Sequence, residues 1–284
     1  MDHRCYTCLV KSFDKLLESH PFPEDTKEAH MKDFLRFLGA ENGKIMPADI
    51  SRRNHQKIRE MLQTDDPYRE IKIQSNNGLL AQYDHWKDKV SQSHNPFETA
   101  LRLAIGGNII DYAANPEFDV DETFDKVLNS DFAINHSQLL REKLEKANTV
   151  LYLGDNAGEI VMDKLFLETL DHPGVVYAVR GRPVINDVTM EDAQSVGIDQ
   201  HARIISNGTD APSTLLHLVS EEFIDVYREA DVIISKGQGN LEGLLGNREK
   251  SIFYLLMVKC PLIGDKLGVQ KGDFVVAHNH LLEN

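Results

Sequence analysis

The sequence predicts an α/β protein: a mostly parallel sheet in its second half, with a helical portion before it. Three observations lead there. Up to residue 147 apolar residues recur at helical spacing. Beyond it, short apolar runs alternate with loops and helical stretches. Those runs are apolar throughout, as strands buried on both faces are. Alternating strands and helices build a parallel sheet covered on both sides. The expected division is a helical N-terminal domain, 1–147, and an α/β domain, 148–284.

Each element follows from local pattern. Leu9, Phe13, Leu16 and Leu17 share one face of a helix, and Met31, Phe34, Leu35 and Leu38 repeat that pattern before Gly39. Ile58, Met61 and Leu62 mark a third helix. Residues 96–114 form a candidate helix interrupted by Gly106-Gly107, and two more are expected over 122–128 and 136–146. Strands are expected at 150–153, 175–179, 202–205, 232–234, 252–258 and 274–276, with a helix over 160–170. No internal repeat or low-complexity segment interrupts this order.

Composition narrows the function classes. The chain has 284 residues, 41% of them hydrophobic, and a formal net charge of −14. Such a balance argues against a broad nucleic-acid surface, which needs clustered Lys and Arg. A small anionic substrate remains compatible, because a metal or a few cations reverse the field within one cleft. No apolar run approaches the length of a membrane span, about 18 residues. Met1-Asp2-His3-Arg4-Cys5 has no apolar signal core, and three cysteines fit a reducing compartment, so a cytoplasmic protein is expected.

In an open α/β sheet, ligands bind beyond the carboxyl ends of the strands. The first strand of the second half is followed by Asp155, Asn156 and Glu159; the second by Arg180, Arg182, Asn186 and Asp187; the third by Asn207, Thr209 and Asp210; the fourth by Lys236, Gln238, Asn240 and Glu242. Four segments thus deliver polar side chains to one rim. Asp155, Asn156 and Asp187 are hard oxygen donors of the kind Mg²⁺ or Mn²⁺ accept. Lys236 is a compact cation suited to a phosphate oxygen. A divalent metal and a lysine facing one pocket are the equipment of phosphoryl transfer. Each piece alone has a plainer reading. Asp-Asn after a strand also makes a turn or helix N-cap, Asn186-Asp187 also caps a helix, and Arg180 and Arg182 also read as solvated charges.

The strings GDNAGEIVMD (154–163), RGRPVINDVTMEDA (180–193), SNGTDAPST (206–214) and SKGQGNLEGL (235–244), with GGNIIDYA (106–113) upstream, resemble the metal-dependent damage-control phosphatases, the family of domain of unknown function 89. Cys5-x-x-Cys8 resembles the smaller, prokaryotic-type branch. The resemblance implies a three-layer, Rossmann-like α/β sandwich with a helical N-terminal portion. It implies a divalent cation (Mn, Mg, Co or Ni) held by Asp155, Asn156 and Asp187, and a lysine, Lys236, contacting the substrate phosphate with Asn240 nearby. Asn108 and Asp111 fall in a motif close to the same cleft, and Arg180, Asn207 and Asp210 join them as substrate-binding candidates on the rim. Asp155, Asn156, Glu159 and Lys236 are the catalytic candidates. The substrates implied are small phosphate monoesters, sugar phosphates or phosphopantetheine-like metabolites, in metabolite damage control. Either Asp155 or a metal-activated water is the nucleophile.

Two other function classes remain open on the residues alone. One is a non-catalytic binding module for a phosphorylated metabolite. The other is a methyltransferase on a doubly wound sheet, although 154–158 lacks GxGxxG spacing and Arg180 stands where an acidic residue is expected. Cys5 and Cys8 read as packing residues, half of a metal site, or a redox pair. His278 and His280 read as surface residues.

Overall fold

A computed structural model describes residues 1–107 and 120–282. It divides into two compact units, Met1–Thr64 and Asp65–Asn284. The first is three helices: α1 (His3–Glu18), α2 (Glu24–Ala40) and α3 (Pro47–Leu62). Asp2 caps α1 by accepting from the Arg4 amide. The predicted stripe Leu9, Phe13, Leu16 and Leu17 is buried, and the Phe13 ring lies 4.5 Å from that of Phe34 on α2. Cys5 and Cys8 both sit on α1.

The second unit holds a sheet of seven strands among the described residues: β1 (Phe132–Asn135), β2 (Val150–Leu153), β3 (Val175–Val179), β4 (Arg203–Ser206), β5 (Val232–Lys236), β6 (Ile252–Met257) and β7 (Phe274–His278). Their order is β1-β7-β6-β5-β2-β3-β4. All neighbours are parallel except β6 and β7. The α/β prediction is therefore met. The prediction missed β1, a four-residue strand at the sheet edge.

Alternation along each strand separates two cores. Val150, Tyr152, Val175, Tyr177, Ile234 and Phe253 face one; Leu151, Leu153, Val176, Ile233 and Tyr254 face the other. The first core is covered by α5 (Tyr83–Ser91), α6 (Pro96–Gly106), α7 (Val120–Asn129), α8 (Ser137–Leu144) and α9 (Glu159–Leu170), and α4 (Arg69–Leu80) adds Leu79. The second is covered by α11 (Glu221–Glu229), α12 (Gly237–Leu244) and α13 (Pro261–Leu267). α10 (Met190–Val196) joins the first layer. This corrects the expected boundary at 147/148. Helices α4 to α8 belong with the sheet because their apolar faces, Trp86, Leu101, Phe124 and Leu140 among them, are buried in its core.

His278 is a second correction. It is buried at the end of β7, with its ring nitrogen 3.0 Å from Ser251 Oγ. No helix among the described residues is long and apolar enough to cross a membrane.

Two outcomes are expected. Trp86 is fully buried, edge-on to Phe124 at 4.7 Å. Trp86→Ala will cost about 3–5 kcal/mol in urea unfolding, whereas Leu35→Ala, at a side chain 48% exposed, will change stability by no more than about 0.5 kcal/mol. Burial, with His280, Lys143 and His136 nearby, pulls the His278 pKa down to about 4. The unfolded chain takes up this proton near pH ~6.5, so this contribution to stability is present above that value and is lost as pH falls towards 4. The gap in Tm between wild type and His278→Gln will therefore narrow between about pH 7 and pH 4.5; a constant gap contradicts it.

Candidate active site at the switch point of the sheet

The chain runs from β2 outward to β3 and β4, then returns to the other side of β2 to form β5. The crevice between the ends of β2 and β5 is the switch point where such sheets bind ligands. Asp155 follows β2 and Gly237 follows β5. A Cβ at Gly237 would lie 1.8 Å from Asp155 Oδ2, and the residue has φ +74°. Only glycine permits this approach.

The Asp155 loop is held from several directions. Asn156 and Asp187 form an isolated antiparallel bridge. Val188 N donates to Asp155 O at 2.9 Å, and Ala157 N to Asn186 O at 2.8 Å. The turn delivering Asp187 contains Ile185 at φ +48°, a conformation a β-branched residue rarely adopts. On the other side, Asn76 Oδ1 of α4 accepts from Gly158 N at 2.7 Å. Gly158 itself has φ +81° and sits against the Ser75 side chain.

The side chains form one charged cluster. Asn156 Nδ2 donates to Asp155 Oδ2 at 2.8 Å and to Glu159 Oε2 at 3.3 Å. Arg180 Nε donates to Asp187 Oδ2 at 2.6 Å, and Arg180 Nη2 lies 3.9 Å from Asp155 Oδ1. Lys236, fully buried, contacts Glu159 Oε1 at 2.6 Å, Ala104 O at 2.8 Å and Asp163 Oδ1. Asp163 also accepts from Tyr152 OH at 2.6 Å and Tyr177 OH at 2.8 Å. Burial, followed by the charges of Glu159 and Asp187, pushes the Asp155 carboxyl up to about 7, against the pull of Lys259 and Arg180. Burial also raises Asp187, with Arg180 opposing it. Burial works against the charge on Lys236, but Asp163 and Glu159 outweigh it and hold its pKa above the usual value. Both tyrosines are raised by burial and by Asp163, so they remain hydroxyl donors.

The structure thus brings together Asp155, Asn156, Glu159, Arg180, Asp187 and Lys236. It assigns different work to several other predicted residues. Lys236 was expected against a substrate phosphate, yet its three N–H donors all go to protein oxygens. Asn240 donates to Gly154 O (3.1 Å) and Lys236 O (2.8 Å) and accepts from Thr214 Oγ1 (2.8 Å), which ties the β2 and β5 loops together. Asn207 Oδ1 accepts from Gly181 N and Thr209 N, which shapes the loop after β4. Asp210 is buried in the same loop. Glu159 opens α9 without capping it; the N-cap is Gly158. Asn108 and Asp111 lie outside the described residues. Sequence reasoning missed Asp163, Tyr152, Tyr177 and Asn76. The tyrosines carried a signal: they pair in register on one face of β2 and β3, two hydroxyls inside strands otherwise apolar. Nothing in the pattern marked Asn76.

Asp155, Asn156 and Asp187 are the residues that would hold a divalent cation. Among the described residues no three His, Cys, Asp or Glu side chains form a metal cage. Two carboxylates and an amide instead leave positions for water and substrate, as hard divalent ions accept. The cluster also fits such an ion in charge. Asp155, Asp163, Asp187 and Glu159 are buried carboxylates, while Arg180 and Lys236 are the buried cations touching them. An excess of two negative charges inside a protein is costly unless compensated.

Residues 1–275 match the model of the family described as damage-control phosphatase ARMT1-like domain. The chain is 33% identical over 285 residues to a damage-control phosphatase of Pyrococcus horikoshii, covering 98% of each. It is 33% identical over 261 residues to a damage-control phosphatase of Archaeoglobus fulgidus, covering 89% of this chain and 90% of that one. The crystal structure of a DUF89 family protein from Pyrococcus horikoshii matches with a TM-score of 0.88 at 32% identity, over 98% of this chain and 99% of that one. With site, fold and sequence in agreement, the chain belongs to the damage-control phosphatase ARMT1-like family.

Proposed function

We propose that the chain is a divalent-metal-dependent phosphatase acting on small phosphate monoesters, sugar phosphates or phosphopantetheine-like metabolites, in metabolite damage control. The observation that carries this reading is the charge excess at the switch point: four buried carboxylates against two buried cations, with Asp155 pushed up to about 7. The damage-control phosphatases among its relatives support the reaction class. Asp155, Asn156 and Asp187 would hold the cation, which would supply Lewis-acid polarisation of the phosphoryl oxygen and activation of water.

The chain's own groups prepare this arrangement. Arg180 pins Asp187 through Nε. The Asn156 amide N–H group orients Asp155 Oδ2, leaving its Oδ1 as a donor atom for the ion. Lys236 pairs with both Glu159 and Asp163 without reaching the solvent side. Water attacks phosphorus in preference to Asp155, because a carboxylate committed to a cation is a poor nucleophile. Enclosure by α6 and α9 keeps these dipoles fixed before substrate arrives.

Purified protein will hydrolyse p-nitrophenyl phosphate with Mn²⁺, Mg²⁺, Co²⁺ or Ni²⁺. Asp155→Ala and Asp187→Ala will each lower kcat/KM by about 10²-fold or more; full turnover in chelator, or in either variant, refutes the reading. Gly237→Ala provides a steric test. Its methyl must displace Asp155, so activity will collapse. Gly246→Ala, also at positive φ (+90°) but in open space, will cost about 1 kcal/mol of stability and leave turnover intact.

A further inference from the structure

Apolar packing does not explain the face that α4 turns inward. Lys72, Ser75, Asn76 and Leu79 fall at i, i+3, i+4 and i+7, one stripe of the helix, and all four are buried, yet three of them are polar. Asn76 is 3% exposed, and its amide is used on one side only. Its Oδ1 accepts from Gly158 N at 2.7 Å, while Nδ2 is buried without a hydrogen-bond partner among the described residues. A buried donor left unpaired costs stability. An apolar side chain would fill the same space without that cost, so what this position gains from asparagine is the bond to Gly158.

That bond ends inside the candidate site. Gly158 follows Asp155 and Asn156 and is the N-cap of α9, which Glu159 opens. A second side chain of the same helix reaches the other ligand segment. Lys72, 3% exposed, pairs with Asp192 Oδ2 at 2.8 Å and with Asp66 Oδ2 at 2.7 Å. Asp192 Oδ2 also accepts from Thr189 N at 2.9 Å and from Thr189 Oγ1 at 2.6 Å, at the N-cap of α10, two residues after Asp187. Lys72 and Asn76 stand four residues apart, neighbours on the helix surface. One grips the end of the Asp187 segment, and the other grips the Asp155 loop.

We propose that Asn76 is a positioning residue for the divalent cation: with Lys72 bracing α4 against Asp192, it fixes the Asp155 loop relative to Asp187, so that the ligand set is formed before the ion arrives. This role deepens the phosphatase reading and rests on it for the identity of the ligand set. Asn76 acts through the loop and not on the ion. Without the bond to Gly158 the loop spends less of its time in the binding conformation, and the apparent affinity for the ion falls by that fraction.

Calorimetric Mn²⁺ binding to the full chain, with Tm and p-nitrophenyl phosphate turnover measured beside it, tests this role. Asn76→Ala is expected to weaken Mn²⁺ binding about tenfold or more (~1.4 kcal/mol), with kcat largely restored by excess Mn²⁺. Asn76→Ser, too short to reach Gly158 N, is expected to match it. Asn76→Asp, which keeps an acceptor oxygen there, is expected to recover most of the loss. Leu79→Ala, on the same buried stripe, is expected to lower Tm at least as much and to leave Mn²⁺ affinity unchanged. Mn²⁺ bound by Asn76→Ala and Asn76→Ser as tightly as by wild type overturns the proposal, as does an equal loss of affinity in Leu79→Ala or a wild-type chain that binds no Mn²⁺. If Mn²⁺ binding depends on Asn76 but no monoester is hydrolysed, the positioning role stands and the phosphatase reading fails.

Discussion

The ion pairs that Lys236 makes with Glu159 and Asp163 are the constraint on which the site depends. Burying a charge fully costs several kcal/mol. That cost is offset only because the lysine, two carboxylates and two tyrosine hydroxyls satisfy one another in a single arrangement. The network spans β2, β3, β5, α6 and α9. It holds both sides of the crevice in register, so that the loop after β2 meets the loop after β5 at a distance only glycine allows. A hydrophobic core tolerates small shifts of its members; a closed set of charges does so far less.

Above this network the charges are less well satisfied. Lys236 meets Glu159 and Asp163 closely and two tyrosine hydroxyls complete the set, while Asp155 and Asp187 share the single cation Arg180. Arg180 touches both carboxylates but satisfies only one of them closely. Strain points the same way: Ile185 is held in the left-handed region two residues before Asp187. Backbone and side chains alike are kept away from their local optimum at this point, as is typical where a ligand completes the arrangement.

Much of this was legible in the sequence because it is written in short, regular codes. Each expected strand appears, with ends shifted by a residue or two, and Asp155, Asn156, Glu159, Arg180, Asp187 and Lys236 do converge. The failures have particular physical reasons. β1 is four residues long, and its register partners on β7 lie 141 or 142 residues away, so nothing nearby announces it. α4 and α5 have weak apolar faces, since α4 turns polar groups inward: Asn76 to Gly158, and Lys72 to Asp66 and Asp192. The domain boundary was misplaced because a helical pattern does not say which core a helix covers. Lys236 was given to the substrate because spacing shows where a side chain starts and not whether its donors are already taken.

The antiparallel meeting of β6 and β7 has a consequence for how the sheet divides its labour. By reversing direction, β7 and its parallel neighbour β1 turn their carboxyl ends towards the rim opposite the crevice. There His278 N donates to His136 Nδ1 at 3.0 Å. These two strands therefore complete the hydrophobic layers without contributing a loop to the chemistry. One edge of the sheet is a brace, apolar and paired, while the loops after β2, β3 and β5 carry the candidate site.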